Sequence, residues 1–415
     1  MTNSGRAGRI AATAMCLWGA VSVEGLMAQR PDASRYLVTW VADADGADSD
    51  FLAVLDVAPG SRTYGQVLTT VPVGERGTVP HHTEHELTPG RSLFANGFDG
   101  NRSFRFDVAD PLHPKFLGPL APTPGLAFPH TFVRLPNGNV LATMQASGAG
   151  FEPPGGITEY RDDGTPARWG SAANPVDPGT RPYSVLPLPE QDRLIVTGGR
   201  MFLPPTFGTP SKLDHPGYTL QLWRLSDLRV LKTIALETPP GARAGIERNP
   251  YEVRRTSGGD ILFSTGSGGL YRVTGTEPES FKAELVYDLG AGAYLPLVVD
   301  RFWIQAVASL RRVVVLDVSN AARPREISRI EFDDRQQPHW LGLDRLSNRI
   351  IVANSSAQSE ARLWMLIFHP ESGLLEFDRT FHDPGNDRPG IGFEREQWPH
   401  GRTGRGVPHG SVFAR

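Results

Sequence analysis

Pro129-His130-Thr131-Phe132-Val133-Arg134-Leu135-Pro136-Asn137-Gly138-Asn139-Val140-Leu141-Ala142 is the stretch whose reading decides the fold. An anchor histidine follows a proline. A Pro-Asn-Gly turn signal comes next, and apolar residues of strand-forming type close the unit. The plan recurs roughly every 45–50 residues, a spacing typical of propeller blades. His81-His82-Thr83 leads through Thr88-Pro89-Gly90 to Ser92-Leu93-Phe94. Pro182-Tyr183-Ser184 leads to Leu194-Ile195-Val196, and Pro250-Tyr251-Glu252 to Ile261-Leu262-Phe263. Pro338-His339-Trp340 leads to Ile350-Ile351-Val352, and a weaker copy runs from Ala293-Tyr294-Leu295 to Phe302-Trp303-Ile304. Residues 36–73 carry strands without an anchor and form a seventh unit. The C-terminal Pro399-His400-Gly401 is expected to supply its anchor, with His409, in a second Pro-His-Gly, as the alternative. The pattern predicts an all-β, seven-bladed β-propeller as a single domain over residues 29–415. Pairing of the first and last strands would remove its exposed edges.

Gly (45) and Pro (36) are abundant and spread along the 415 residues, as many short turns require. A net charge of −3 gives no electrostatic reason to bind nucleic acid. No run reaches the roughly 18 apolar residues of a membrane span. Residues 1–28 read as a signal peptide: Arg6 and Arg9, an apolar stretch over residues 10–23, then Leu26-Met27-Ala28 before Gln29. Export to the periplasm or outside the cell is expected. Cys16, the only cysteine, lies in that leader, so the mature chain offers no thiolate ligand.

In a propeller the inner strand of each blade lines the axis, so anchors far apart in sequence become neighbours. His82, His130, His339 and His400 hold that position as candidate metal ligands, and His85 is a further candidate. His81 is expected to point away from His82 by strand alternation. Neutral imidazoles suit copper, iron, zinc or nickel. Glu84 and Glu252 are the carboxylates nearest the anchors, candidates to orient an imidazole or carry a proton. For either, a salt bridge with a neighbouring arginine such as Arg254 is the alternative role. Tyr183 and Tyr251 share the histidine register and either bind substrate or fill the channel mouth. His113, His215, His369 and His382 fall in turns and are expected at the surface. The loop over residues 202–214 is a candidate cover for the channel mouth.

Several segments resemble one known family in order along the chain. They are Asp50-Phe51-Leu52-Ala53-Val54-Leu55-Asp56-Val57 with Tyr64-Gly65-Gln66-Val67, His81-His82-Thr83, and Leu126-Ala127-Phe128-Pro129-His130-Thr131. Pro250-Tyr251-Glu252-Val253-Arg254, Leu316-Asp317-Val318-Ser319 with Arg323-Pro324-Arg325, and Pro399-His400 complete the set. Together they resemble the selenium-binding protein family, which includes the methanethiol oxidases. The resemblance implies a seven-bladed propeller. It also implies a copper enzyme turning methanethiol and oxygen into formaldehyde, hydrogen sulfide and hydrogen peroxide, with copper favoured over iron or zinc. The Cys-rich segment of animal members is absent: residues 84–90 contain no cysteine. His339 stands where many members have another residue. The expected function is therefore a periplasmic metal-dependent oxidase of a small substrate, a thiol or a phenolic compound, acting with oxygen. A non-catalytic binding propeller and a lactonase-like metal-dependent hydrolase are the alternatives.

Overall fold

The computed structural model describes residues 1–2, 33–201, 216–354 and 360–415. The signal-peptide reading, with Cys16, and the loop over residues 202–214, with His215, lie outside the described residues.

Among the described residues the strands form seven antiparallel blade sheets and one two-stranded hairpin, and no α-helix occurs. Blades two to six are simple four-stranded meanders, starting with the inner strands Pro80–Thr83, Ala127–Arg134, Val185–Leu188, Pro250–Arg255 and Pro296–Val299. Blade seven starts with Pro338–Asp344 and gains a short fifth strand, Ile391–Gly392. Blade one closes the ring. Its outer three strands are Tyr36–Asp43, Phe51–Asp56 and Val67–Pro72, and its inner strand is the C-terminal Gly406–Ala414. The first and last strands thus pair and close the ring of blades.

The blades pack through apolar side chains of alternating strand positions. Trp40, Trp223, Trp303 and Trp340 are fully buried between sheets, each with its indole N–H satisfied. Trp364 also lies in the core. Polar side chains on the second strands fasten one blade to the next anchor. The Thr143 hydroxyl donates to the Tyr183 carbonyl at 2.8 Å, and that of Thr197 to the Tyr251 carbonyl at 2.6 Å. Asn96 accepts the His82 amide N–H at 2.5 Å and donates to the His130 carbonyl at 3.0 Å. The His130, Tyr183 and Tyr251 backbones are therefore held from the neighbouring blade, and that of His82 from its own.

The anchors sit at irregular points of their strands. In five blades the inner strand carries one extra residue there, between Pro80 and Thr83, Pro129 and Phe132, Pro250 and Val253, Pro338 and Trp340, and Pro408 and Ser411. Such bulges interrupt the ladder and re-aim side chains. In three blades the preceding residue is also left-handed: Val79 (φ 56°), Phe128 (φ 59°) and Asn249 (φ 55°). A non-glycine residue rarely adopts this conformation.

Candidate metal centre

Every blade sends an aromatic ring to the axis, five from the kinked inner strands and Tyr183 and Tyr294 from just before theirs. Going round from blade two, His81 lies 5.2 Å from His130 between ring centroids, His130 4.0 Å from Tyr183, and Tyr183 4.1 Å from Tyr251. Tyr251 is 5.9 Å from Tyr294, Tyr294 4.6 Å from His339, His339 4.7 Å from His409, and His409 4.4 Å from His81. The circuit closes with three tyrosines on one side and four histidines on the other.

The histidine side holds nitrogen atoms with no partner. His130 Nδ1 lies 2.9 Å from the Tyr183 carbonyl. A carbonyl only accepts, so Nδ1 carries the proton and Nε2 keeps its lone pair, which is buried and unpartnered. His81 Nε2, His339 Nδ1 and both nitrogens of His82 are likewise buried without a hydrogen bond. Unsatisfied buried polar atoms are rare, and here they converge. One nitrogen each from His81, His339 and His409 lies within 4.8 Å of the others, and the same holds for His81, His82 and His130. These histidines can therefore hold a metal ion. Nitrogen ligands on one ion stand about 3.4 Å apart, given metal–nitrogen bonds near 2.0–2.1 Å, so small ring rotations would complete either set. His81 and His82 are stacked nearly parallel, 4.2 Å apart at 12°. Their in-plane lone pairs do not converge as placed. His81, His339 and His409 are mutually inclined by 38° to 57° and have no such conflict.

Burial keeps these imidazoles neutral, as ligation demands. It lowers His81, His82 and His339 well below the usual histidine range, reinforced by neighbouring histidines. It takes His130 down to about 3 against the pull of the Tyr183 carbonyl, and His409 to about 4 against that of the His81 backbone. The same burial raises the Tyr183 and Tyr251 phenols, so they stay protonated. A pH dependence follows. Below the ordinary histidine value of 6.5 the unfolded chain binds protons that the folded chain refuses. Metal-free protein is expected to be fully stable above pH 6.5 and to lose stability progressively as pH falls towards 4. Urea midpoints of chelated protein at pH 7 and pH 5 check this; equal midpoints would contradict it.

A second tier lies one residue further along the strands. The Glu252 carboxylate, 1% exposed, accepts from the Ser184 hydroxyl at 2.9 Å, the Arg254 guanidinium at 2.8 Å and the Thr131 hydroxyl at 3.4 Å. Arg254 also donates to His85 Nε2 at 3.1 Å, which leaves the His85 proton on Nδ1. His85 stacks on Trp340 at 5.1 Å, and its centroid is 6.4 Å from that of His82. Burial takes His85 down to about 3, with Arg254 adding to the effect.

No protein-family model matches the chain. Among curated proteins it aligns with the methanethiol oxidase of Ruegeria pomeroyi at 26% identity over 327 residues, 70% of this chain and 72% of that protein. The methanethiol oxidase of a Hyphomicrobium species aligns at 29% identity over 236 residues, 53% of this chain and half of that enzyme. The chain is thus similar to methanethiol oxidases at modest identity. Its fold matches the hypothetical selenium-binding protein of Sulfolobus tokodaii, with a TM-score of 0.69 at 17% identity, covering 93% of this chain and 95% of that one. The periplasmic gluconolactonase of Pseudomonas aeruginosa shares the fold at 14% identity, with a TM-score of 0.60 and coverage of 92% and 99%.

The structure brings together His82, His130, His339, Tyr183 and Tyr251, with Glu252 and His85 just beyond them. Three expectations need correction. His400 lies off the axis. Its Nδ1 bonds the Thr70 hydroxyl at 2.7 Å, its Nε2 bonds the Thr403 hydroxyl at 2.8 Å, and its ring packs on Phe51. The anchor of blade one is His409, because the closing strand begins at Gly406, beyond the Gln397–Trp398 and Gly401–Arg402 hairpin. His81 does not point away: the extra residue between Pro80 and Thr83 breaks strand alternation, and both rings reach the axis. Glu84 is not aimed at the histidines. Arg134 grips both its oxygens at 2.8 Å and the Phe94 amide donates to it at 3.0 Å, so it ties blade two to blade three. A signal for His81 and His409 exists in the sequence, since Pro80 and Pro408 precede them as Pro129 and Pro338 precede His130 and His339. As expected, His113 and His369 are exposed, each paired with a nearby carboxylate. His382 is partly buried, bonded to the Asp383 carbonyl.

Proposed function

We propose that this protein is a metal-dependent oxidase of a small thiol, exported from the cytoplasm, with copper at the axial histidines. The observation that carries the reading is the closed aromatic circuit. It gathers unpartnered histidine nitrogens at one point, in a chain homologous to enzymes named methanethiol oxidase.

His81, His339 and His409 would hold the ion, with His130 and His82 beside it. A copper ion there would supply the one-electron chemistry that lets a thiol and dioxygen react. The protein's own residues do the rest. The Tyr183 carbonyl fixes the His130 tautomer, and the Asn96 side chain holds the His82 backbone. Tyr183, Tyr251 and Tyr294 close the other half of the ring with protonated phenols. Glu252, fed by Ser184 and Arg254, is the carboxylate nearest the ring and accepts or returns a proton through the Ser184 hydroxyl. The proposed overall reaction takes methanethiol, dioxygen and water to formaldehyde, hydrogen sulfide and hydrogen peroxide.

Copper-loaded protein is expected to consume oxygen on addition of methanethiol and to release formaldehyde in equal amount. Zinc-loaded protein, which has no redox chemistry, should do neither. An oxygen electrode with a formaldehyde assay reads both. No uptake from copper- or iron-loaded protein would overturn the reading.

A further inference from the structure

Above the histidine side of the circuit sit three phenylalanines that the proposed chemistry does not use. Phe98 lies 5.9 Å from His130, nearly perpendicular at 87°, and 6.4 Å from His81. Phe128 is 5.9 Å from Phe98, and Phe151 meets both edge-on, 6.1 Å from Phe98 and 4.8 Å from Phe128. All three are 3% exposed or less. A cleft of about 380 Å³ between blades two and three has Phe128 and Pro129 in its lining.

The backbone is bent to place these rings. Phe128 (φ 59°) and Phe151 (φ 64°) are both left-handed, a costly conformation for bulky side chains. Each is held there. The Asn101 side chain accepts the Phe128 amide N–H at 2.6 Å. Arg181 lies 4.3 Å over the Phe151 ring and donates to its carbonyl at 2.8 Å. Strain retained at two of three neighbouring residues points to a use for their position.

We propose that Phe98, Phe128 and Phe151 form the specificity wall of the site, admitting the short alkyl group of a small uncharged thiol. This rests on the thiol-oxidase reading and names its substrate class. Phenyl edges favour a divalent sulfur about 5 Å away. They offer no partner to a charged or hydroxylated substituent, which would lose its water without replacement. Three packed rings also limit length, because a longer chain must displace one of them.

The test uses cobalt-loaded protein, whose thiolate-to-metal absorption band reports binding apart from turnover. Wild-type protein is expected to bind methanethiol at least about tenfold more tightly than butanethiol, and 3-mercaptopropionate more weakly than propanethiol. Phe98→Ala should bring butanethiol to within about threefold of methanethiol, and Phe98→Leu, which keeps the core apolar and better filled, should shift the ratio the same way. Butanethiol bound as tightly as methanethiol by wild type, or an unchanged ratio in folded Phe98→Leu, would overturn the wall. So would 3-mercaptopropionate bound as well as propanethiol. No thiol band with any thiol in the wild type would overturn the proposed function, and this proposal with it.

Discussion

Replacing His81 by alanine is expected to strip the protein of its metal. His81 belongs to both groups of three histidines, whereas His130 and His339 belong to one each. Losing a ligand common to both should weaken metal binding by about 100-fold or more, at least the upper end of what removing a mere supporting group costs. His130→Ala should cost less, because His81, His339 and His409 remain. Folding and ligation are separable here. Metal-free His81→Ala leaves a cavity but also removes a buried nitrogen without a partner. Those opposing terms should leave it within about 1–2 kcal/mol of metal-free wild type. The stabilisation that metal gives wild type, about 4 kcal/mol at a thousandfold excess over Kd, should vanish. Metal analysis after dialysis, with thermal melts with and without added metal, reads both quantities. A variant that keeps its metal and its metal-induced shift would contradict the account.

Glu84→Ala is expected to do the reverse: destabilise the fold and leave the metal in place. The Glu84–Arg134 pair is almost fully enclosed, with side chains 5% and 8% exposed. Burial pushes the Glu84 carboxyl up, while the Arg134 guanidinium and the Phe94 amide pull it down. Removing one partner of such a pair strands the other charge, at about 3–5 kcal/mol. The lower end, about 3 kcal/mol, is expected because Asp162 still meets Arg134 at 2.6 Å. Urea denaturation measures it. Wild-type stability with loss of metal would mean that Glu84 serves the centre after all.

The two substitutions also mark what the sequence makes legible. The repeat of proline, aromatic anchor, turn and strand is local chemistry, and it locates six of seven blades and most of the axial rings. What fails is inference that assumes regular strands. Strand alternation sends His81 away from His82, but the bulge before Thr83 brings both inward. The strand Pro80–Thr83 ends one residue short of Glu84, so strand register does not aim its carboxylate at the axis. Pro399-His400-Gly401 and Pro408-His409-Gly410 look alike as tripeptides. Only the second runs into Ser411-Val412-Phe413, apolar enough to pair with Tyr36–Asp43 and close the ring. The phenylalanine wall is invisible in sequence because Phe98, Phe128 and Phe151 come from a turn, a strand and a loop joined only in space.

An anomalous difference map at the absorption edge of the bound metal, from crystals of metal-loaded protein, tests the central claim most directly. The account predicts one strong peak on the propeller axis, about 2.0–2.1 Å from ring nitrogens of His81, His339 and His409. A peak at His400, or none within reach of these three histidines, would contradict it.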